Sequence, residues 1–250
     1  MRIGQERAFV LHARAWRETS LLVELLTESH GRVGAVARGV RGPRRQAQRA
    51  ALQPWQQIGF SAETRGELWN LRAWEALDLA PRQVGEVALA GFYVNELLLR
   101  LLPRQDPAPE LFARYARLRE ELGRLQPLAW CLRRFERDLL DALGVGLPWG
   151  ETVEGEALDP AARYRIDPGQ GLWRDRTHAA GSLRGSALLA LAEDRCPAAE
   201  ELAELRLALR TVLAHHLGGA PLRAWSLMTE VARVGRSAPG LAQHPVDPLE

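Results

Sequence analysis

A chain of 250 residues with 46% hydrophobic and 26% charged side chains has the composition of a globular protein with a buried core, in one large domain or two modest ones. Net charge is only +2, yet all 33 basic residues are arginine; coding bias accounts for the choice, but the planar guanidinium still grips phosphate or carboxylate and stacks on bases. No apolar run approaches the roughly 20 residues needed to span a bilayer, and Gln5, Glu6 and Arg7 stand where a signal segment would be apolar, so no membrane partner and a cytoplasmic location are expected.

In chain order, Ala8–Ala15, Ser20–Thr27, Arg32–Arg38, Pro54–Ala62 and Glu67–Ala76 are short runs with partial period-two alternation, the mark of strands. Leu21, Val23 and Leu25 share one face of the second run. Glu28-Ser-His-Gly31 reads as a turn with Gly31 at positive φ, making a hairpin of the second and third runs. Five short strands in about 80 residues fit a small barrel, of which the five-stranded OB-fold is the commonest; an SH3-like barrel has the same period.

From Pro81 the period becomes helical. Val84–Leu102, Glu110–Leu125 and Leu128–Leu143 are predicted helices, the last stopped by Gly144, Gly146 and Pro148. Residues 145–181 are rich in Gly, Pro and Asp and read as an irregular insert, with Arg163–Asp167 and Gly171–Arg174 pairing as a small hairpin. Helices resume at Leu183–Asp194, Ala198–Leu217 and Leu222–Val234. The expected division is a barrel domain over 1–80, a helical domain over 81–235 and a disordered tail over 236–250. The fold class is α+β: an N-terminal five-stranded OB-fold barrel followed by a mainly α-helical domain.

Charge is distributed unevenly along this plan. From Ser29 to Ala62 there is no Asp or Glu, while Arg32, Arg38, Arg41, Arg44, Arg45 and Arg49 fall inside the stretch. Gly and Pro in Arg38-Gly-Val-Arg-Gly-Pro-Arg-Arg45 oppose a helix with compensating pairs, leaving a flexible basic loop. A solvated charge run is the default for such a feature; a phosphate backbone is the complement it would suit.

Reaction centres are missing. With no Lys there is no phosphate-loop motif, and neither a GxSxG elbow nor an HExxH helix occurs. The adjacent histidines His215 and His216 lack the i, i+4 spacing of a metal pair. Cys131 and Cys196 form no CxxC, which excludes a zinc ribbon, and read as two buried small hydrophobes. No cofactor is expected, and the chain is read as a binding protein rather than an enzyme. Of eight tryptophans, Trp16, Trp55, Trp69 and Trp74 lie in the barrel, mostly as wall or core, with one or two suited to stacking on bases. In Leu132-Arg-Arg-Phe-Glu136, Arg133 and Arg134 either pair within their own helix or sit at the rim of an apolar groove with Phe135, suited to a peptide bearing an apolar residue and a terminal carboxylate.

Several blocks together resemble the RecO family of DNA repair proteins. They are Arg7-Ala-Phe-Val-Leu-His-Ala-Arg14, Trp16-Arg-Glu-Thr-Ser-Leu21, Thr27-Glu-Ser-His-Gly-Arg-Val33, Val36-Ala-Arg-Gly-Val-Arg41, Ala51-Leu-Gln-Pro54, Phe92-Tyr-Val-Asn-Glu-Leu97, Leu132-Arg-Arg-Phe-Glu136 and Leu217-Gly-Gly-Ala-Pro-Leu222. Their joint order, to about residue 230, carries the likeness.

The resemblance implies a recombination mediator that binds single- and double-stranded DNA and anneals complementary strands. Its implied partners are the acidic C-terminal tail of single-strand-binding protein, RecR and, indirectly, RecA, with a nucleoid-associated place in the cytoplasm. It places Arg38 and Arg41 in the family's basic segment and Arg133, with Arg134 and Phe135, where the acidic tail is gripped. Arg14, Arg32, Arg44, Arg45 and Arg49 join the DNA-binding set from charge alone. The four-cysteine zinc module of some members has no counterpart here. The alternative reading is an RNA-associated OB-fold protein or a non-catalytic interaction scaffold.

Overall fold

The alternating runs at the amino end become strands that close on themselves. In the computed structural model, which describes residues 1–64, 66–81, 83–122, 127–227 and 230, these are β1 (Arg2–Trp16), β2 (Ser20–Thr27), β3 (Gly31–Ala37), β4 (Gln57–Thr64) and β5 (Leu68–Ala76). They form a closed barrel in the order β1-β2-β3-β5-β4, with β3 and β5 parallel and the other neighbours antiparallel. This is the expected OB-type barrel, followed by helices.

One departure lies between β3 and β4. A 3-10 turn at Pro43–Arg45, inside the segment where glycine and proline predict irregular chain, leads into α1 (Gln46–Ala50), an element the sequence reading does not include. The two buried residues after it, Ala51 and Leu52, join the barrel core, and the indole N–H of Trp74 on β5 donates to the Gln48 carbonyl at 3.0 Å. Tertiary packing therefore stabilises a helix too short to persist alone.

Ala8-Phe-Val-Leu11 is buried on both faces of β1. Ala8 and Val10 fill the barrel, while Phe9 and Leu11 belong to the helical core outside it. A continuous apolar run marks a strand covered on both sides. The covering helices are α2 (Gly85–Leu101), α3 (Pro109–Glu121) and α4 (Leu128–Ala142). Phe9 meets Phe112 and Tyr115 at ring-centroid distances of 4.8 and 5.0 Å, and Trp55 stacks on Tyr115 at 4.7 Å. A register shift between Val10 and His12 interrupts pairing at Leu11. Its carbonyl instead accepts the Asn95 amide at 2.8 Å, and Asn95 Oδ1 in turn accepts the Tyr115 hydroxyl at 2.8 Å. The bulge thus leaves an acceptor that α2 and α3 satisfy.

After α4 come β6 (Arg163–Asp167) and β7 (Gly171–Arg174), the predicted hairpin. A third strand, β8 (Leu183–Arg184), pairs with β6 where the sequence predicts the start of a helix; α5 (Gly185–Ala192) begins immediately after it, and α6 (Ala199–His216) follows. Residues 223–227 are helical, and the backbone N–H groups of Arg223 and Ala224 are capped by the Glu96 carboxylate at 2.9 Å each. The rest of the predicted last helix, apart from residue 230, and the predicted disordered tail lie outside the described residues.

Candidate nucleic-acid interface

Two chain segments meet at one end of the barrel. The turn from β1 to β2 carries Arg17, and the segment after β3 carries Arg38 and Arg41. The Arg41 backbone N–H donates to the Thr19 carbonyl at 3.1 Å, and its guanidinium donates to the Arg17 and Glu18 carbonyls at 3.1 Å each. Val40, 1% exposed, anchors the same segment in the barrel core. The basic segment is consequently held against the hairpin turn, and its neutral carbonyl partners leave the Arg41 charge uncompensated.

Arg14, Arg17, Arg38, Arg44, Arg45 and Arg49, on these two segments and on α1 after them, are exposed. Among the described residues no carboxylate lies within ion-pair distance of any of them. Arg45 donates to the Gln48 side chain at 2.9 Å, and the Arg14 guanidinium lies 5.7 Å from the Trp16 ring centroid. Glu18 is the one acidic residue in segments 14–19 and 38–50. Uncompensated cations at this density raise the local potential for a polyanion.

Arg32 differs from the others. Its side chain is 12% exposed, donates to the Leu99 carbonyl of α2 and lies 3.7 Å from Glu24, which Arg104 also holds. Burial pulls its guanidinium below the ordinary arginine range, opposed by the Glu24 charge. The expectation of an unpaired cation is therefore corrected at Arg32: it ties barrel to helix. Arg17, conversely, was missed. It stands one strand away from the basic run and beside an acid, and only the pairing of Trp16 with Ser20 and Leu21 with Ala37 brings it back.

Trp55 and Trp69 are buried, at 5% and 2% exposure, and cannot meet a base; Trp16 and Trp74 are half-buried.

The second predicted site also changes. Arg133 is 6% exposed and pairs with Glu136, 1% exposed, which accepts the Tyr93 hydroxyl at 2.6 Å. Burial raises the Glu136 carboxyl, with Arg133 and Tyr93 opposing the rise. Phe135 is 2% exposed in the core. Neither sits at a groove rim, because the buried arc of α4 is wide enough to include both. Arg134 lies at the edge of that arc, its side chain 14% exposed. It grips Asp194 through Nε and Nη2 at 2.8 Å each and reaches Glu121 at 3.1 Å. Burial would raise Asp194, but hydrogen bonds from Arg137 and Arg134 hold it below the ordinary carboxylate range. The hollow there, bordered by Arg117, Leu118, Cys131 and Arg134, has a volume of about 10 Å³, room for one water.

Of the cysteines, Cys131 is buried as expected but Cys196 is exposed, and both are free thiols. Among the described residues no group of three or more His, Cys, Asp or Glu is placed to hold a metal, and no helix is long and apolar enough to cross a membrane.

Comparison with known proteins agrees with this architecture. Residues 1–80 match the family model for Recombination protein O N terminal, and residues 82–226 match that for Recombination protein O C terminal. The DNA repair protein RecO of Xanthomonas oryzae pv. oryzae (strain PXO99A) is 58% identical over 241 residues, covering 93% of this chain and 99% of that protein. The DNA repair protein RecO of Xanthomonas campestris pv. campestris (strain B100) is 57% identical over 243 residues, covering 94% and 100%. That of Stenotrophomonas maltophilia (strain K279a) is 56% identical over 236 residues, covering 93% and 99%. With both halves matched and relatives more than half identical along nearly their whole length, the chain belongs to the RecO family of DNA repair proteins.

Proposed function

We propose that this chain, which its family places in DNA repair and recombination, is a non-catalytic mediator that binds DNA through the barrel. Arg14, Arg17, Arg38, Arg41, Arg44, Arg45 and Arg49 contact phosphates, while Arg32 ties the barrel to α2. The observation that carries this reading is the clasp of Arg41 on the β1–β2 turn, which gathers exposed guanidiniums without a carboxylate partner. Binding of both single- and double-stranded DNA follows from contacts to backbone rather than base, and annealing follows when two strands are neutralised on one surface.

The functional division falls near residue 80, with the helical part recruiting proteins in the cytoplasm, at the nucleoid. Its partners would be the acidic tail of single-strand-binding protein, RecR and, through them, RecA. Arg134 supplies the cation for the tail; Arg133 and Phe135 hold α4 in place beneath it. Because the hollow beside Arg134 has room for only a water, the tail must displace Asp194 or Glu121 to enter.

The test is fluorescence polarisation of single-stranded DNA across a salt series, together with annealing of complementary strands. Seven phosphate contacts give a slope near −5 in log affinity against log salt. Replacing Arg38 and Arg41 together by Ala should flatten that slope by about 1.4 and slow annealing. A salt-independent affinity, or no annealing at all, would leave the interaction-scaffold reading in its place; annealing confined to RNA would favour the RNA-associated one.

A further inference from the structure

The three-stranded sheet has one face on the core and one toward solvent. Tyr164, Leu172 and Leu183, all 2% exposed or less, face inward. Alternation along β6 and β7 turns Arg165, Asp167 and Trp173 the other way. Arg165 and Trp173 are directly opposite in the strand register, so their side chains share the outer face. With Ile166, Asp167 and Gln170 they line a shallow, solvent-open hollow of about 360 Å³.

Three arginines of the same sheet are already held by other groups. Arg163 is held by Ser182 and Glu204, Arg184 by Glu204, and Arg174 by Asp159. Arg165 is exposed, and among the described residues no carboxylate is in ion-pair contact with it. Asp175 feels its charge, but its own oxygens accept Thr177 and Ala179. Trp173 is half-buried with no ring stacked on it among the described residues. Asp167 Oδ1 accepts the Gly169 N–H at 2.9 Å, leaving Oδ2 and the Gln170 amide to meet a hydrogen-bonding edge.

An aromatic plane, an unpaired guanidinium and a mixed set of donor and acceptor groups form the complement of a nucleotide in a single strand. We propose that the outer face of β6–β7 is a second single-stranded DNA site, remote in sequence from the barrel, where Trp173 stacks on a base and Arg165 contacts the adjoining phosphate. Asp167 and Gln170 meet the base edge. The acid at one end of the cleft and the arginine at the other set the polarity: phosphate beside Arg165, base over Trp173. A duplex offers no unstacked base and is not bound there. The inference rests on the chain binding DNA at all, but not on the barrel arginines being the contacts.

The experiment combines polarisation with photocrosslinking on the full chain. The probes are a fluorescein-labelled twelve-residue thymidine oligomer, the same oligomer carrying 5-iododeoxyuridine, and a duplex of equal length. Trp173→Ala should weaken the single strand about tenfold and the duplex less than twofold. Trp173→Phe should retain most of the binding, and Arg165→Gln should flatten the single-strand salt slope by about 0.7. Crosslinks on the unaltered protein should map to residues 165–173. Crosslinks confined to the barrel, or equal losses on duplex and single strand, overturn the proposal. Displacement of the oligomer by micromolar thymidine monophosphate would assign the cleft to free nucleotides and overturn it too. Failure of any oligomer to bind the unaltered protein would sink the DNA reading together with this one, whereas crosslinks that persist at 165–173 in the Arg38 and Arg41 variant would support this site independently of the barrel.

Discussion

Arg134 holds both carboxylate oxygens of Asp194 at 2.8 Å, in a bidentate fork that joins α4 to the turn after α5. Asp194 also accepts Arg137 at 3.0 Å and stands at φ +57°, a left-handed conformation that Asp tolerates better than most residues. An internal carboxylate thus occupies the fork that an incoming acidic tail would need. Asp194→Asn should raise the affinity of an acidic peptide with an apolar last residue several-fold, measured by calorimetry. Because Asp194 is 45% exposed, solvent screening keeps the stability loss below about 1 kcal/mol. Unchanged peptide affinity in a folded variant would show that Asp194 does not compete.

Asn95 should be the most costly polar position in the contact between barrel and helices. Asn95→Ala strands the Leu11 carbonyl and the Tyr115 hydroxyl in buried surroundings, each at about 1–3 kcal/mol. A loss of at least 2 kcal/mol is expected from urea unfolding monitored by Trp fluorescence. A loss under 0.5 kcal/mol would mean that water or rearrangement satisfies both groups.

Gly31 has two reasons to be glycine. Its φ is +64°, and a Cβ there would lie 1.7 Å from the Asp106 carbonyl oxygen. Gly31→Ala must both adopt the left-handed region, at about 1–2 kcal/mol, and push the 103–107 segment off β3. A total above about 2 kcal/mol is expected, with a lowered thermal midpoint. A neutral substitution would place that segment elsewhere in solution.

Arg32 and Arg38 are close in sequence and should behave in opposite ways. Arg32→Ala removes the bond to Leu99 and part of the pairing of Glu24, costing about 1–3 kcal/mol of stability. Arg38→Ala removes no side-chain partner among the described residues, so stability should stay within about 0.5 kcal/mol while the single-strand salt slope falls by about 0.7. Thermal melts and salt titrations on the two variants would separate the roles; a stable Arg32→Ala protein with weakened DNA binding would reverse them.

Asp175 gives the fold a pH dependence. Bonds from the Thr177 side chain and backbone, with that from Ala179, hold its carboxyl at about 2 against an ordinary 3.8. The folded state thus favours the ionised form more than the unfolded chain does. Its contribution is complete above about pH 5 and disappears as pH falls through 3.8 toward 2. The stability difference between the unaltered protein and Asp175→Ala should shrink over that window. A difference constant from pH 6 to pH 2.5 would refute the assignment.

The sequence displayed its strands and helices where one period governed a segment. β2 could be read residue by residue because Leu21, Val23 and Leu25 alternate inward under a single rule. The first part of β1 was missed because Gly4 and Gln5 fall at a register shift between Ile3 and Glu6, which breaks the alternation. β8 has two residues, too few for any period, and exists because β6 offers it a pairing edge. At the candidate sites charge order revealed the basic segment, since missing acids are a one-dimensional fact. Which arginines turn inward is three-dimensional. Arg133 and Arg134 differ by one step of about 100° around α4, and that rotation sends one to Glu136 in the interior and the other to Asp194 at the surface.

The outward-facing Phe9, Leu11, Leu26 and Trp55 of the barrel lie in the same apolar cluster as the helices. Cutting the chain near residue 80 would therefore unwrap a greasy strip along the strands rather than release a self-sufficient module. Such a fragment should clump or demand detergent, and oligonucleotide measurements on it would report on a damaged surface.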